Sequence, residues 1–391
     1  MSRKTRQVAL AFPLAPPHLV QVLRGITDYA RGRGDWVLSP NPDTYRMSVS
    51  DIRGWPGDGV IAMVETPAES RAAQSLGIPV VNLSGRLRRS SVPRVMVDHE
   101  GVGRMAAEHL LACGFRRFGY YGPPDGWFAQ QRRRGFQRRL QEADAECSVL
   151  ETTTALGSTR RWHHWQQPLL RWLKTLAPPV GVMATYDARA AMVVEACGVL
   201  GLRVPDDVAV IGVDNHEVVC EFCPVPLSSI DRNGYRIGFE AATLLDRLMS
   251  GQKPDESEIL LPPRCVIKRR STDVVAVDDP HVAKVVEYIR QHIGEAFGME
   301  RLLPLVPTSR RWLEHRFREC LGVTPHEFIC RARVERAKDL LLSNQRRSLK
   351  EISAACGFTE PRRFRLVFRR LAGMTPAEYR RRHVGSDRGG D

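Results

Sequence analysis

A chain of 391 residues with 43% hydrophobic content supports two or three ordinary globular cores, and its formal net charge of +14 is unevenly placed. From His281 onward 23 Lys+Arg stand against 13 Asp+Glu, while the preceding residues carry 35 against 31, so the basic C-terminal part is suited to a polyanion. No apolar run approaches ~20 residues, which excludes a membrane-spanning helix; the apolar stretch in MSRKTRQVALAF is too short for a secretory signal, and nine cysteines without a regular framework read as reduced, cytosolic thiols.

In chain order, Gln7–Phe12 reads as a buried strand and His18–Arg33 as an amphipathic helix with Leu19, Val22, Leu23, Ile26 and Tyr29 inward. Strands follow at Asp35–Leu38, Asp58–Met63, Gly77–Asn82 and Arg94–Val97, with a short helical segment at Met47–Arg53 and helices at Pro67–Leu76 and Gly101–Cys113. The alternation continues with Arg117–Tyr121 (strand), Gln130–Glu142 (helix), Arg161–Leu176 (helix), Val180–Thr185 (strand), Ala188–Leu200 (helix) and Val208–Val213 (strand). Leu227–Ile230, the helix Tyr235–Met249, and short closing strands at Ile259–Leu261 and Cys265–Lys268 complete it. Such βα repetition predicts parallel sheets covered by helices, and so many units favour two lobes with a cleft between them. Ligands in such folds sit beyond the carboxyl ends of the strands.

The basic part changes period. In Ser348–Arg370 the sequence predicts two helices around a tight turn, with Ser348 and Glu351 as a capping box and Cys356-Gly357-Phe358 as the turn. The second helix starts near Pro361; Phe364, Val367, Phe368 and Leu371 form its apolar stripe, with Arg362, Arg365 and Arg369 opposite. An apolar back and an arginine front suit a helix that enters a major groove. A second copy lies at Met299–Gly322, where Pro307 ends the first helix, Thr308 or Ser309 caps the next, and Leu313, Arg316 and Phe317 occupy the places of Phe364, Val367 and Phe368. Each unit is followed by a Thr-Pro step, GVTPHEF and GMTPAEY, and His326–Leu342 is one connecting helix.

Two such units on a connecting helix resemble the AraC/XylS family of transcription activators over Pro280–Arg382. The marks are Ser309…Leu313…Phe317, Gly322-x-Thr-Pro, Arg336-Ala337…Leu341-Leu342, Ile352-Ser353…Gly357-Phe358, Phe364…Phe368 and Thr375-Pro376-x-x-Tyr379-Arg380. Pro304 departs from the pattern, in a segment that is usually an unbroken helix, and predicts a short or distorted first helix. Upstream, Val97-Asp98-His99-Glu100-Gly101-x-Gly103, Ala106–Leu111, Arg132-x-x-Gly135-Phe136, Tyr186-Asp187-x-x-Ala190 and Asp206–Gly212-x-Asp214 resemble the effector domain of the LacI/GalR repressors. That resemblance implies a type I periplasmic-binding-protein fold. The order of the two parts, with Leu23–Ile26, Ala184–Ala190 and Arg269-Arg270-Ser271-Thr272-Asp273, resembles the XylR subgroup of xylose-operon activators.

The resemblance implies a cytoplasmic activator that binds double-stranded DNA, a small sugar and RNA polymerase, acts as a homodimer and has no membrane partner. Residues 1–271 form the sugar-sensing domain, 272–280 a linker, 281–383 the DNA-binding domain and 384–391 a disordered tail. A sugar pocket needs planar charged groups for vicinal hydroxyls and an aromatic face for the C–H side of the ring. Loop position offers Phe12, Phe128, Arg132, Tyr186, Asp187, Asp214 and Asn215, of which Asp187 also reads as a helix cap. For DNA, the recognition helices offer Arg310, Arg311, Glu314, His315 and Arg318, then Arg362, Arg363, Arg365 and Arg369. Trp162, Trp165 and Trp172 at helical spacing read as packing, His163-His164 as a polar helix start, and Cys220-x-x-Cys223 as ordinary thiols, because a zinc site needs a second ligand pair. No phosphate-cradling loop, His-Glu-x-x-His or Gly-x-Ser-x-Gly is present, so neither enzymatic activity nor a cofactor is expected. The competing readings are a transport-type sugar-binding protein and a ligand-independent architectural DNA binder.

Overall fold

A computed structural model describes residues 5–14, 16–40, 48–153, 162–252, 256–273, 279–343 and 347–384. The chain divides into two compact units, Met1–Val274 and Val275–Asp391. Most of the expected linker and nearly all of the expected tail lie outside the described residues, as do the side chains of Trp162, His163, His164 and Trp165.

The first unit opens with β1 (Arg6–Ala11), α1 (Pro17–Arg33), β2 (Trp36–Pro40), β3 (Gly59–Ala62), α2 (Pro67–Ser75), β4 (Val80–Asn82) and β5 (Arg94–Val97). It continues through α3 (His99–Ala112), β6 (Phe118–Gly122), α4 (Trp127–Gln141), β7 (Cys147–Glu151), α5 (Trp162–Thr175), β8 (Val180–Ala184), α6 (Asp187–Leu200), β9 (Val208–Val213), α7 (Glu217–Phe222) and β10 (Ser228–Asp231). Then come α8 (Gly234–Met249), β11 (Glu258–Leu261) and β12 (Cys265–Ile267). Two six-stranded sheets result, ordered β11-β5-β4-β3-β1-β2 and β12-β10-β9-β8-β6-β7. All pairings are parallel except that of β10 with β12. These are the two lobes, and the chain passes between them three times: after β5, after β10 and after β11.

Parallel strands covered on both faces must be apolar throughout, and β3, β6, β8 and β9 are buried along their whole length. The second lobe packs Leu169, Val182, Val193, Val210 and Leu227 into one core, each contributing about 1.5–3 kcal/mol by burial. Trp172 packs there too, its ring tilted on Tyr121 and its Nε1 donating to Ser148 Oγ at 2.9 Å. Glycines set two close helix pairs. Side chains at Gly103 or Gly135 would collide with the backbone of α4 or α3, and those at Gly25 or Gly238 with the backbone of α8 or α1. The segment expected as a helix at Met47–Arg53 is a single 3₁₀ turn, Val49–Ile52, closed by a Ser48–Asp51 capping box; Met47 lies outside the described residues. Two elements absent from the sequence reading are β7, a half-buried edge strand, and α7.

The second unit is helical: α9 (Pro280–Gln291), α10 (Met299–Leu302), α11 (Arg310–Leu321), α12 (Pro325–Ser343), α13 (Leu349–Ala355), α14 (Pro361–Ala372) and α15 (Pro376–Val384). Pro304 has the expected effect: α10 is a four-residue helix that tightens into a 3₁₀ turn at Leu303–Leu305. The unit has two cores. Val285, Ile289, Leu302, Leu313 and Phe317 form one, and Leu341, Ile352, Phe358, Phe364 and Phe368 the other. The helix α12 contributes to both.

Candidate functional site

Beyond the carboxyl ends of the second-lobe strands, several charged groups converge. Asp214 follows β9 and Arg132 lies in the second turn of α4. Arg132 is almost fully buried; its Nη1 donates to the Thr185 carbonyl and its Nε to His99 Nδ1 at 3.3 Å. Its Nη2 is 3.6 Å from Asp214 Oδ1, and the guanidinium carbon lies 5.4 Å from the centre of the Phe128 ring. Arg232, just past β10, brings its Nε to 2.8 Å from the same Asp214 oxygen. The approach is off the N–H axis, so this buried carboxylate oxygen and this buried nitrogen both lack a hydrogen bond among the described residues. Asp214 sits at φ 108° and Asn215 at φ 48°, backbone that costs a non-glycine residue about 1–3 kcal/mol and clusters at functional sites.

Burial pushes the Asp214 carboxyl up, but Arg232 and Arg132 outweigh it and hold the group below its ordinary value. His18, in the first turn of α1, lies within electrostatic reach of the same three residues; burial and then Arg232 lower it to about 4. His99 is brought well below its ordinary value by burial and then by Arg132. The close α3–α4 contact at Gly103 and Gly135 sets His99 beside Arg132.

The remaining candidates are placed differently. Asp187 does not cap α6. It is buried, its Oδ1 accepts from Ser229 Oγ at 2.6 Å and its Oδ2 from the His216 amide at 2.7 Å. Burial, then Asp214, pushes it up to about 7. The Tyr186 hydroxyl accepts from Arg189 Nε at 3.1 Å, and Arg189 is itself held by Thr152. Asn215 Oδ1 accepts from Arg269 at 2.9 Å, and the Asn215 amide donates to Ser229 Oγ. Phe12 is buried at the end of β1. The structure thus brings Asp214, Arg132 and Phe128 together, while Tyr186 and Asn215 are engaged by other arginines. Sequence reasoning missed His18, His99 and Arg232, although each follows a strand, as Asp214 does. Cys220 and Cys223 are buried in and beside α7, where desolvation pushes both thiols up.

In the second unit, Ser309 Oγ accepts from the Trp312 amide and starts α11, and Ser348 with Glu351 starts α13. Gly357 turns the chain at φ 71°, where a side chain would collide with the Glu295 carbonyl. The turn seats α14 with Phe364 and Phe368 inward and Arg362, Arg365 and Arg369 exposed. Arg363 is also exposed, but its Nη2 donates to His326 Nε2 on α12 at 3.0 Å. Leu366, 64% exposed among these arginines, is an apolar side chain on the same face that sequence reasoning missed. On α11, Arg311 and Arg318 are exposed, Arg310 pairs with Glu314 at 2.9 Å and His315 with Glu319 at 3.2 Å. Arg316 bridges Asp279 and Glu319.

Residues 107–272 match a family described as a periplasmic binding protein-like domain, and residues 305–382 one described as a helix-turn-helix domain. The xylose operon regulatory protein of Escherichia coli (strain K12) is 33% identical over 389 residues, covering 97% of this chain and 98% of the relative. That of Haemophilus influenzae is 30% identical over 388 residues, covering 97% and 99%. A solved structure titled xylose-binding transcription activator xylR matches with a TM-score of 0.65 at 32% identity, over 97% of this chain and 99% of that one. These relatives are regulators of transcription rather than enzymes. By full-length likeness and domain order, the chain belongs to the family of xylose operon regulatory proteins, DNA-binding transcription regulators with a periplasmic-binding-protein-like domain ahead of a helix-turn-helix domain.

Proposed function

We propose that the first unit senses a small monosaccharide, xylose or a related sugar, and that its occupancy governs DNA binding and transcription activation by the second. The observation that carries this reading is Asp214: a buried carboxylate oxygen without a hydrogen bond, beside the fully buried Arg132. Vicinal hydroxyls donate to Asp214 and accept from Arg132, and Phe128 offers its face to the ring C–H groups. Phe12 and His18 close the site from the first lobe, while Asp187, Ser229 and Asn215 hold the Asp214 loop. In the second unit, Arg362, Arg365 and Arg369 read base edges and phosphates, Leu366 meets a thymine methyl, and Arg311 and Arg318 serve in the first unit of the pair. The chain works in the cytoplasm as a homodimer that engages RNA polymerase, with residues 272–280 joining sensor to reader. Closure of the cleft shifts the placement of two readers on their half-sites.

Thermal unfolding of the whole protein with pentoses and hexoses tests the sensor. A ligand held only by the folded state stabilises it by about 2.7 kcal/mol at a hundredfold excess over Kd. The same ligand must change affinity for a selected operator; a sugar that stabilises the protein without changing DNA binding contradicts the reading.

A further inference from the structure

The charge of the cleft is not balanced for a neutral sugar. Two guanidiniums, Arg132 and Arg232, face one carboxylate, Asp214. Arg132 is committed to the Thr185 carbonyl, His99 and Asp214. Arg232 is not: among the described residues it pairs electrostatically with Asp214 but makes no hydrogen bond, and its Nε is buried. The other nearby carboxylate, Asp187, accepts from Ser229 and the His216 amide, and burial, then the Asp214 charge, pushes it up to about 7, so it offsets only part of the second guanidinium's charge. His18 and His99 add no negative charge; both are kept neutral by burial and by these arginines. Positive charge is therefore in excess in a largely buried site, and the Arg232 guanidinium, without a hydrogen bond among the described residues, is open to an anion.

We infer that the occupant is a monosaccharide carrying one carboxylate, an aldonic or uronic acid, with Arg232 as the residue that selects it. This rests on the cleft being the effector site. A carboxylate presents two coplanar oxygens that match the guanidinium fork, and its single charge offsets the surplus. The ring or chain hydroxyls still meet Asp214. A phosphoryl group brings close to two charges at pH 7 and overshoots. A neutral pentose offers Arg232 only hydroxyl oxygens and leaves the charge unpaired.

Calorimetry on the whole protein with D-xylonate, D-glucuronate and D-galacturonate, against D-xylose and D-glucose, reads this directly, with sodium acetate as the plain-anion control. At least one sugar acid is expected to bind tenfold or more tighter than either neutral sugar. Arg232→Gln is expected to reverse that order, and Arg232→Lys, which keeps the charge but not the fork, to give intermediate affinity for the acid. A neutral sugar that binds as tightly as every acid overturns the inference while the sensing role stands, as does acid affinity unchanged in both variants or matched by acetate. Absence of binding by all five sugars and acids overturns the effector-site reading together with it.

Discussion

The two helix-turn-helix units share a plan and differ in how their charge is spent. On α11 three of the five basic residues are met by acids, Arg310 by Glu314, His315 by Glu319, and Arg316 by Glu319 and Asp279, while Arg311 and Arg318 are exposed. On α14 five arginines stand in twelve residues without a single acid, and among the described residues only Arg363 is drawn back onto α12. The supporting helices differ in the same direction. In the first unit α10 is a single turn broken by Pro304 and has no side-chain cap, whereas α13 starts on a complete capping box. A paired basic residue must break its pair before touching DNA; a free guanidinium need not. We therefore propose that the second helix-turn-helix unit supplies most of the electrostatic attraction to DNA and that the first mainly sets register.

The largest effect should come from the packing behind α14. Phe364 is fully buried and joins Phe358 at 5.3 Å and Phe368 at 5.7 Å, with Tyr379 next in the row. Phe364→Ala should cost about 3–5 kcal/mol and abolish DNA binding, as a thermal melt paired with fluorescence anisotropy would report. Next comes the charge itself. Arg365→Ala and Arg362→Ala should each weaken operator binding by about ten- to a hundredfold and flatten its salt dependence, while Arg310→Ala, already paired with Glu314, should do less. Equal losses from both units would break the comparison.

The smallest effect is in acid. Asp279 caps α9 through the His281 and Val282 amides and pairs with Arg316. Burial pushes its carboxyl up, but the bonds from Val282, Arg316 and His281 outweigh it and leave it lowered. A depressed folded value means stability present above the ordinary aspartate range and lost as pH falls through the folded value. Melts below about pH 4 should therefore show a decline that Asp279→Asn flattens. In the second unit Glu351 is lowered by its bonds to Ser348 but is fully exposed, so its share should be weaker.

The helical unit was the most legible in the sequence because fixed spacings carry it: Ser348 with Glu351, Gly357, and the Phe364–Phe368 stripe all serve as read, and Pro304 distorts the helix it interrupts. The parallel strands were legible as apolar runs. β7 was not, because an edge strand buried on one side has no such run, and α7 spans under two turns, too few for a period to register. In the cleft, position after a strand pointed to Asp214 and Arg132. The same rule covers His18, His99 and Arg232, yet a polar residue at a helix start or turn looks solvated until the three passages between lobes bring the ends together. Asp187 looked like a cap because caps are common there; its burial against Ser229 and His216 depends on α7 and β10, which are far along the chain.

The central claim, that the cleft at Asp214 controls the DNA reader, is tested most directly by one variant. Asp214 lies at a strand end rather than in a core, so Asp214→Ala should fold. Calorimetry with whichever sugar or sugar acid binds the unaltered protein should show affinity at least tenfold weaker, because charge-assisted hydrogen bonds contribute roughly 1.5–3 kcal/mol each. Operator affinity without ligand should be retained and its response to ligand lost. Undiminished ligand affinity in Asp214→Ala, or a ligand response of DNA binding that persists, would contradict the account.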